Sequence, residues 1–287
     1  MAELWGWETA FIVVGLVGFV WLGIWQFVYK RPEENTKMNA AERAYINQDI
    51  EADAAAGLVA AEAPARKMSF VECMKYRQTW AFAFGKFMTD GVWWFFLFWT
   101  PAYISDVYGY ASDTFTAQML IFVLYAITML SILGGKLPTV FINRTGKNAY
   151  TCRMRAMLIF AVFPLLGLLA QPVGQYSCWL TIVIIGIVGA AHQSWSANLF
   201  SVGSDLFPKN TVATITGLNG MAGGISSFLI NVGSGRLLDY VEQTRFTLLG
   251  FEGKEAGYFM IFCGCSVAYL LGWTVMKSLV PRYKPVE

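Results

Sequence analysis

Seven long apolar stretches constrain this chain more than any other feature of its sequence. Each is close to the roughly 20 residues that an α-helix needs to cross a bilayer, and none has the alternating ten-residue pattern of a barrel strand. Charged residues make up 14% of the 287 residues, against about 25% in an average soluble domain. The sequence therefore predicts an all-α membrane protein with seven transmembrane helices. The stretches cover residues 9–29, 79–104, 117–135, 155–171, 177–200, 211–238 and 257–277.

The same composition argues against several other classes of protein. A net charge of +2 is too small for the basic surface that a nucleic-acid partner requires. A single His, five Cys without a CxxC pair and the lack of phosphate-loop, hydrolase or zinc motifs predict neither a metal site nor a cofactor. We therefore expect no enzyme activity, and the lipid bilayer is the partner that the composition indicates.

Lysine and arginine are distributed unequally between the two sides of the predicted spans. The connections at 30–78, 136–155 and 201–210, together with the C-terminal tail, hold 17 of the 21 basic residues. Because basic residues concentrate in cytoplasmic loops, these segments are predicted to lie in the cytoplasm and the N-terminus outside. The chain then divides into a transmembrane helix at 1–29, a cytoplasmic loop at 30–78 and a six-helix bundle at 79–287.

Two of the connections carry local signals of their own. In the long loop, Asn39 followed by Glu42 is a variant of a capping box and predicts the start of a short helix. The whole loop at 30–78, including its Ala-rich run at 52–65, is interpreted as a linker that joins two membrane units, with a regulatory or partner-docking role as the alternative. Residues 134–146 are glycine-led and basic, and they are predicted to form a tight turn at the membrane surface.

The second span carries two charges at a depth where lipid surrounds an exposed helix. Lys86 and Asp90 are four residues apart and so share a helix face. Charged residues inside a membrane are costly and often mark functional sites. The pair is either a closed ion pair that holds the helix in place or part of a cavity wall, with Lys86 available to an anionic substrate or to gating. Trp93 and Leu97 are expected to continue this face.

Polar residues also interrupt the fifth and sixth spans. His192, Trp195 and Asn198 fall on one broad face within two turns. His192 fits either a proton relay, because histidine titrates near neutral pH, or a neutral side chain that hydrogen-bonds a neighbouring helix. In the sixth span, small residues are expected to let helices approach closely, whereas Asn219 and Asn231 each need partners away from water.

Several segments also occur in an order that is typical of one family. The most specific of them is residues 191–200, with the sequence AHQSWSANLF. The others are residues 7–29, 31–34, 40–46, 77–80, 85–90, 93–101, 204–208, 217–224 and 235–239. Together they resemble the major facilitator superfamily, and within it the anion:cation symporter family near the hexuronate (glucuronate and galacturonate) transporters.

The resemblance implies a fold of twelve helices in two six-helix halves, joined by a long cytoplasmic loop. It places residues 9–29 at the sixth helix and 79–277 at helices seven to twelve. The chain then corresponds to the C-terminal half with one preceding helix, and the N-terminal half is a missing partner. The resemblance also implies substrate contacts, in addition to the Lys86–Asp90 pair, from three helices. By motif position these residues are Trp93, His192, Gln193, Ser194, Trp195, Asn198 and Asn219.

The function that the resemblance implies is transport of a sugar acid, a hexuronate or a related organic anion, across the cell inner membrane. The expected mechanism is symport by alternating access with a co-transported proton or sodium ion. The chain is interpreted as an N-terminally truncated copy that does not transport without the upstream helices. The alternatives are an inactive fragment and a seven-helix receptor or retinal photoreceptor, although residues 257–276 lack the lysine that retinal requires.

Overall fold

The computed structural model describes residues 2–30, 34–46, 68–208 and 210–286, with side chains from residue 5 onward. The chain divides into two compact units, Met1–Ala65 and Arg66–Glu287. In the first unit, helix α1 spans Ala2–Val28 and has a kink at Gly6, where φ is 81° and ψ is 159°. This helix agrees with the first predicted span.

A second short helix of the first unit, α2, is described over residues 40–46. It begins after Asn39, whose side-chain oxygen accepts a hydrogen bond of 2.7 Å from the backbone N–H of Glu42. The bond satisfies one of the free N–H groups at a helix start, and it confirms the predicted cap. The Ala-rich run at 52–65 of the predicted linker lies outside the described residues.

The second unit is a helical bundle with one small β-hairpin. The hairpin consists of two antiparallel strands, β1 (Thr247–Leu248) and β2 (Phe251–Glu252). The helices are α3 (Phe70–Cys73), α4 (Arg77–Tyr108), α5 (Phe115–Thr128), α6 (Ser131–Gly134), α7 (Leu137–Thr145), α8 (Ala149–Val162), the 3₁₀ helix η1 (Phe163–Leu169), α9 (Ala170–Gly174), α10 (Cys178–Leu206), α11 (Val212–Thr244) and α12 (Lys254–Leu279).

Local sequence signals explain several of these helix ends. Ser69 begins α3 with a full capping box. Thr114 and Asn148 cap α5 and α8 by accepting a hydrogen bond from the N–H three residues later. Gly109 and Gly146 end α4 and α7 in the left-handed conformation, which a glycine adopts without a steric penalty.

Five of the seven expected spans are long and apolar enough to cross a membrane, within the part of the chain that is described. These five are Trp5–Val28, Phe115–Thr145, Ala149–Gly174, Cys178–Leu206 and Lys254–Leu279. The expected spans at 79–104 and 211–238 are continuous helices, α4 and α11, of 32 and 33 residues. Their polar and glycine residues make them less apolar, and their crossing of the membrane stays a prediction.

The tight turn predicted at 134–146 is wrong, because most of that segment is helical. Helix α7 occupies Leu137–Thr145, with Pro138 in its first turn. Proline is tolerated there because the first backbone N–H groups of a helix have no partner within the helix. Only a short connection remains between Gly146, where α7 ends, and Asn148, where α8 begins.

Helix α4 is central to the bundle and packs mainly on α11 and α12, while α10 packs on α5 and α8. Two glycines allow α4 and α11 to approach closely. A Cβ atom at Gly91 would clash with Oγ of Ser226, and one at Gly223 would clash with Oδ2 of Asp90. The expectation that small residues of the sixth span permit close packing is confirmed at Gly223.

Candidate functional site

Lys86 and Asp90 form an ion pair on α4 with an Nζ–Oδ1 distance of 3.1 Å. Their side chains are 9% and 13% exposed. The Lys86 ammonium also donates to Oγ of Ser196 at 3.4 Å and lies 4.4 Å from the ring centroid of Phe200. Both interpretations of the pair therefore describe part of the geometry: the charges neutralise each other, and they border open space.

That open space is a groove of about 510 Å³ between α4, α10 and α11, which we call the polar groove. Phe98 and Phe200 are 57% and 45% exposed at its edges. The groove therefore combines one ammonium, one carboxylate, two hydroxyls and three aromatic rings. It is lined by Lys86, Asp90, Trp94, Phe98, Phe200, Thr216, Gly220, Gly224 and Ser227.

Neighbouring glycines of α11 have two different roles at this groove. Gly223 faces α4 and permits contact with Asp90. Gly220 and Gly224 line the groove, and a Cβ atom at either position would meet no atom within 4 Å. The open volume over this part of α11 therefore results from the lack of side chains at two positions.

A second group of rings comes from α4, α10 and α12, and we call it the buried layer: Trp93, His192, Trp195 and Tyr269. His192, Trp195 and Tyr269 are buried and Trp93 is half-buried. The ring of His192 stacks on Trp93 with 5.1 Å between centroids and an angle of 4°. Its Nδ1 lies 2.7 Å from Oη of Tyr269, and Trp195 packs edge-on against the same tyrosine. All four rings are in contact through His192 or Tyr269.

The hydrogen bonds of the buried layer restrict the protonation of His192. Oη of Tyr269 also lies 3.4 Å from the carbonyl oxygen of Thr89. Tyr269 has one hydroxyl proton, so when it donates to Thr89 the Nδ1 atom of His192 must carry a proton and donate to Tyr269. This geometry is the one expected for a histidine that hydrogen-bonds a neighbouring helix, and the proton-relay interpretation stays a prediction.

The remaining predicted residues of α10 lie at different positions around that helix. Asn198 is buried, and its Nδ2 donates to the carbonyl of Ser194 at 2.8 Å. Oγ of Ser194 donates to the carbonyl of Ala190 at 2.9 Å, and Ser194 borders an apolar cavity of about 470 Å³ beside α6 and α8. Gln193 is half-buried. Ser194 therefore lies away from the polar groove.

Two asparagines of α11 differ in how their amides are satisfied. Asn231 accepts a hydrogen bond from Nε1 of Trp99 at 2.9 Å and donates to the carbonyl of Ser227 at 2.8 Å, which confirms that it needed partners. Asn219 is 4% exposed, and its Oδ1 has no hydrogen-bond partner among the described residues. Asn219 and Lys86 line the same small crevice, so this part of the site offers a free acceptor as well as the ammonium.

Sequence reasoning missed six residues at the polar groove. Five line it (Trp94, Phe98, Phe200, Thr216 and Ser227), and Ser196 contacts Lys86. On α4 the lining positions are 86, 90, 94 and 98, all spaced by four residues. The expected continuation through Trp93 and Leu97 is wrong for the groove, because Trp93 stacks on His192 instead. Spacings of three and of four residues both share a helix face, so the pattern fits Trp94 and Phe98 as well as Trp93 and Leu97.

Comparison with known proteins finds a matching family and several similar proteins. The sequence model of a family described as the Major Facilitator Superfamily matches residues 1–231. The chain is 30% identical over 280 residues to the hexuronate transporter of Escherichia coli K12, covering 95% of this chain and 58% of that protein. It is 27% identical over 176 residues to the galacturonate transporter of Dickeya chrysanthemi, covering 60% and 49%. It is also 23% identical over 268 residues to a probable galactarate/D-glucarate transporter of E. coli K12, covering 91% and 56%. The chain thus spans about half the length of these relatives.

Proposed function

The chain belongs to the Major Facilitator Superfamily, and from this premise we propose that it forms one wall of the substrate pathway of a sugar-acid transporter. Membership in a family of multi-pass transporters confirms the expectation of a membrane protein that is not an enzyme. The family match also favours transport over the alternatives of a receptor or photoreceptor. The substrate proposal follows the names of the relatives, which include hexuronate, galacturonate and galactarate/D-glucarate.

The observation that carries the proposal is the chemistry of the polar groove. A hexuronate has one carboxylate, several hydroxyls and, in its cyclic form, an apolar ring face. The groove offers the ammonium of Lys86, the hydroxyls of Thr216 and Ser227, and the exposed rings of Phe98 and Phe200. A charge-assisted hydrogen bond contributes about 1.5–3 kcal/mol, so Lys86 is the residue that we assign to the substrate carboxylate.

Asp90 and Asn219 complete this assignment. Asp90 forms an ion pair with the Lys86 ammonium at 3.1 Å. Asn219 has an unused acceptor oxygen and lines the same crevice as Lys86, which suits a sugar hydroxyl. We assign substrate contact to these three residues, and a structural role to Trp93, His192, Trp195, Asn198, Ser194 and Gln193.

We further propose that a second helical bundle covers the open face of the polar groove, and that transport is symport by alternating access. In this account the 49-residue loop at 30–78 and the C-terminus are cytoplasmic, and the membrane is the cell inner membrane. A protease-sensitive tag at the C-terminus should then be cut in inverted membrane vesicles and protected in intact cells. Cutting in intact cells would overturn the orientation.

The direct test is uptake of radiolabelled galacturonate by cells that make a fusion protein. The fusion joins this chain behind the part of the E. coli hexuronate transporter that the chain does not match. We expect the fusion to take up galacturonate and the 287 residues alone to take up none. In the fusion, Lys86→Gln should lower uptake about tenfold or more.

The matched control is Lys136→Gln, which removes the same charge at an exposed position outside the groove. Equal uptake by K86Q, K136Q and the unchanged fusion would overturn the role of Lys86. Equal uptake by the 287 residues alone and the fusion would overturn the need for a second bundle. In proteoliposomes, a proton or sodium gradient should drive accumulation above equilibrium, and equal uptake with and without both gradients would overturn symport.

A further inference from the structure

A second cavity, of about 730 Å³, lies where the start of α4 meets the end of α12, and none of its lining residues lines the polar groove. One side is formed by the segment that leads into α4, and the other by the end of α12 and the tail that follows it. Four basic side chains line it: Lys75, Arg77, Arg282 and Lys284. We call it the basic cleft.

Hydrogen bonds fix the tail that forms one wall of the basic cleft. Nε2 of Gln78 donates to the carbonyl of Lys284 at 2.9 Å, and the N–H of Val286 donates to the carbonyl of Leu206 at 2.8 Å. The hydroxyl of Tyr150 donates to the carbonyl of Val280. The cleft is therefore a built feature with both walls anchored to the helices.

The charge of the cleft is unbalanced. Its four cations are exposed, and the described residues that line it include no carboxylate. The ion pairs found within the described ranges join Lys86 to Asp90, Arg153 to Asp205 and Lys254 to Asp106, and they involve none of these four. A cavity with four unneutralised cations favours an anionic ligand.

The surroundings of the cleft are those of a membrane surface. Helix α12, which is long and apolar enough to span a bilayer, ends at Leu279, and Leu279 lines the cleft. Next to Lys75 and Arg77 in the chain, Val71 and Trp80 are 66% and 53% exposed. Exposed apolar and aromatic groups of this kind sit at the level of lipid headgroups.

We propose that the basic cleft binds the phosphate group of an anionic phospholipid headgroup, with the acyl chains on the apolar surface that includes Val71 and Trp80. Basic pockets at the ends of membrane-spanning helices attract anionic lipids, and each nearby cation adds to the attraction. Free phosphate has the same anionic group as the headgroup but lacks the acyl chains. A comparison of phosphate with the lipid therefore shows which of the two ligands the cleft prefers. The site is independent of the proposed transport function.

The test is native mass spectrometry of the full 287-residue chain, titrated in detergent with phosphatidylglycerol, phosphatidylcholine or inorganic phosphate. We expect one tightly bound phosphatidylglycerol. The variant K75Q/R77Q/R282Q/K284Q should bind it about tenfold more weakly or worse. The control K136Q/R144Q/K147Q/R155Q removes the same number of charges at exposed positions and should bind as the unchanged chain does.

Each other outcome overturns part of the proposal. Equal binding of phosphatidylcholine would exclude recognition of the anionic headgroup. Displacement of phosphatidylglycerol by an equal concentration of inorganic phosphate would exclude a lipid as the preferred source. Equal weakening in the two quadruple variants would show that net charge, and not the basic cleft, attracts the lipid. If the quadruple variant does not fold, phosphatidylglycerol binding is measured for the single variant R282Q instead, and weaker binding than by the unchanged chain is expected.

Discussion

The polar groove and the buried layer contain similar residue types, but these residues border open volume in the groove and contact one another in the buried layer. Both contain aromatic rings and hydrogen-bonding groups from α4 and α10. In the buried layer, Nδ1 of His192 lies within hydrogen-bond distance of Tyr269, and its ring stacks on Trp93. In the polar groove, the rings of Phe98 and Phe200 are largely exposed, and open volume borders Lys86.

The difference shows that polarity within a span does not by itself identify a binding residue. A buried polar group is costly unless it finds a partner inside the protein, since water is absent. A polar group that has found one, as His192 has, contributes to the fold. A polar group beside open volume, as Lys86 is, remains available to a ligand. The comparison therefore predicts loss of stability from changes in the buried layer and loss of substrate binding from changes in the groove.

The largest expected contrast is between two aromatic residues five positions apart on α10. Trp195 is 0% exposed and Phe200 is 45% exposed. Trp195→Ala should lower the free energy of unfolding by about 3–5 kcal/mol because it leaves a large cavity. Phe200→Ala should change it by less than about 1 kcal/mol. Denaturation in SDS, followed by circular dichroism, measures the free energy of unfolding of both variants. Equal decreases in the two variants would show that the buried layer and the polar groove do not differ in this way.

A second contrast uses adjacent glycines of α11. Gly223→Ala places a Cβ atom against Asp90, and the resulting overpacking should cost about 1–3 kcal/mol. The Cβ atom of Gly224→Ala meets no atom within 4 Å. Because alanine is the better helix former, this change should raise the free energy of unfolding by up to about 1 kcal/mol while it narrows the polar groove. The same denaturation measurement applies. Greater destabilisation by Gly224→Ala than by Gly223→Ala would contradict the packing of α11 described above.

The smallest expected effect concerns the hydrogen bond inside the buried layer. Tyr269→Phe removes the hydroxyl that pairs with His192 and should lower the free energy of unfolding by about 1 kcal/mol. In the galacturonate-transporting fusion it should leave the KM for galacturonate unchanged. A large rise in KM with unaltered stability would instead place His192 and Tyr269 in the substrate pathway.

The sequence was sufficient to predict a helical membrane protein, most helix positions and the Lys86–Asp90 pair. Apolar stretches and i, i+4 spacing are local properties, and they determine these features directly. The sequence could not determine whether Trp93 or Trp94 borders the polar groove. Both lie near the face of Asp90, and only the position of α10, which receives Trp93 against His192, decides which ring borders the groove.

Two other features also could not be predicted from the sequence. Residues 134–146 contain glycines and a proline, which favour a turn, yet Leu137–Thr145 is helical because proline is tolerated in a first helical turn. Ser194 belongs to the most specific matching segment, yet it borders the apolar cavity beside α6 and α8. A matching segment indicates the family, while the direction of each side chain depends on how the helices pack.

Alkylation of a single introduced cysteine reports whether the polar groove holds the substrate. In the fusion with its native cysteines replaced by serine, Thr216→Cys places a thiol in the groove, and Thr139→Cys places one at an exposed position on α7, outside the groove. We predict that galacturonate slows the reaction of N-ethylmaleimide with T216C and leaves T139C unaffected. Equal reaction rates of T216C with and without galacturonate, in a fusion that still transports, would contradict the account.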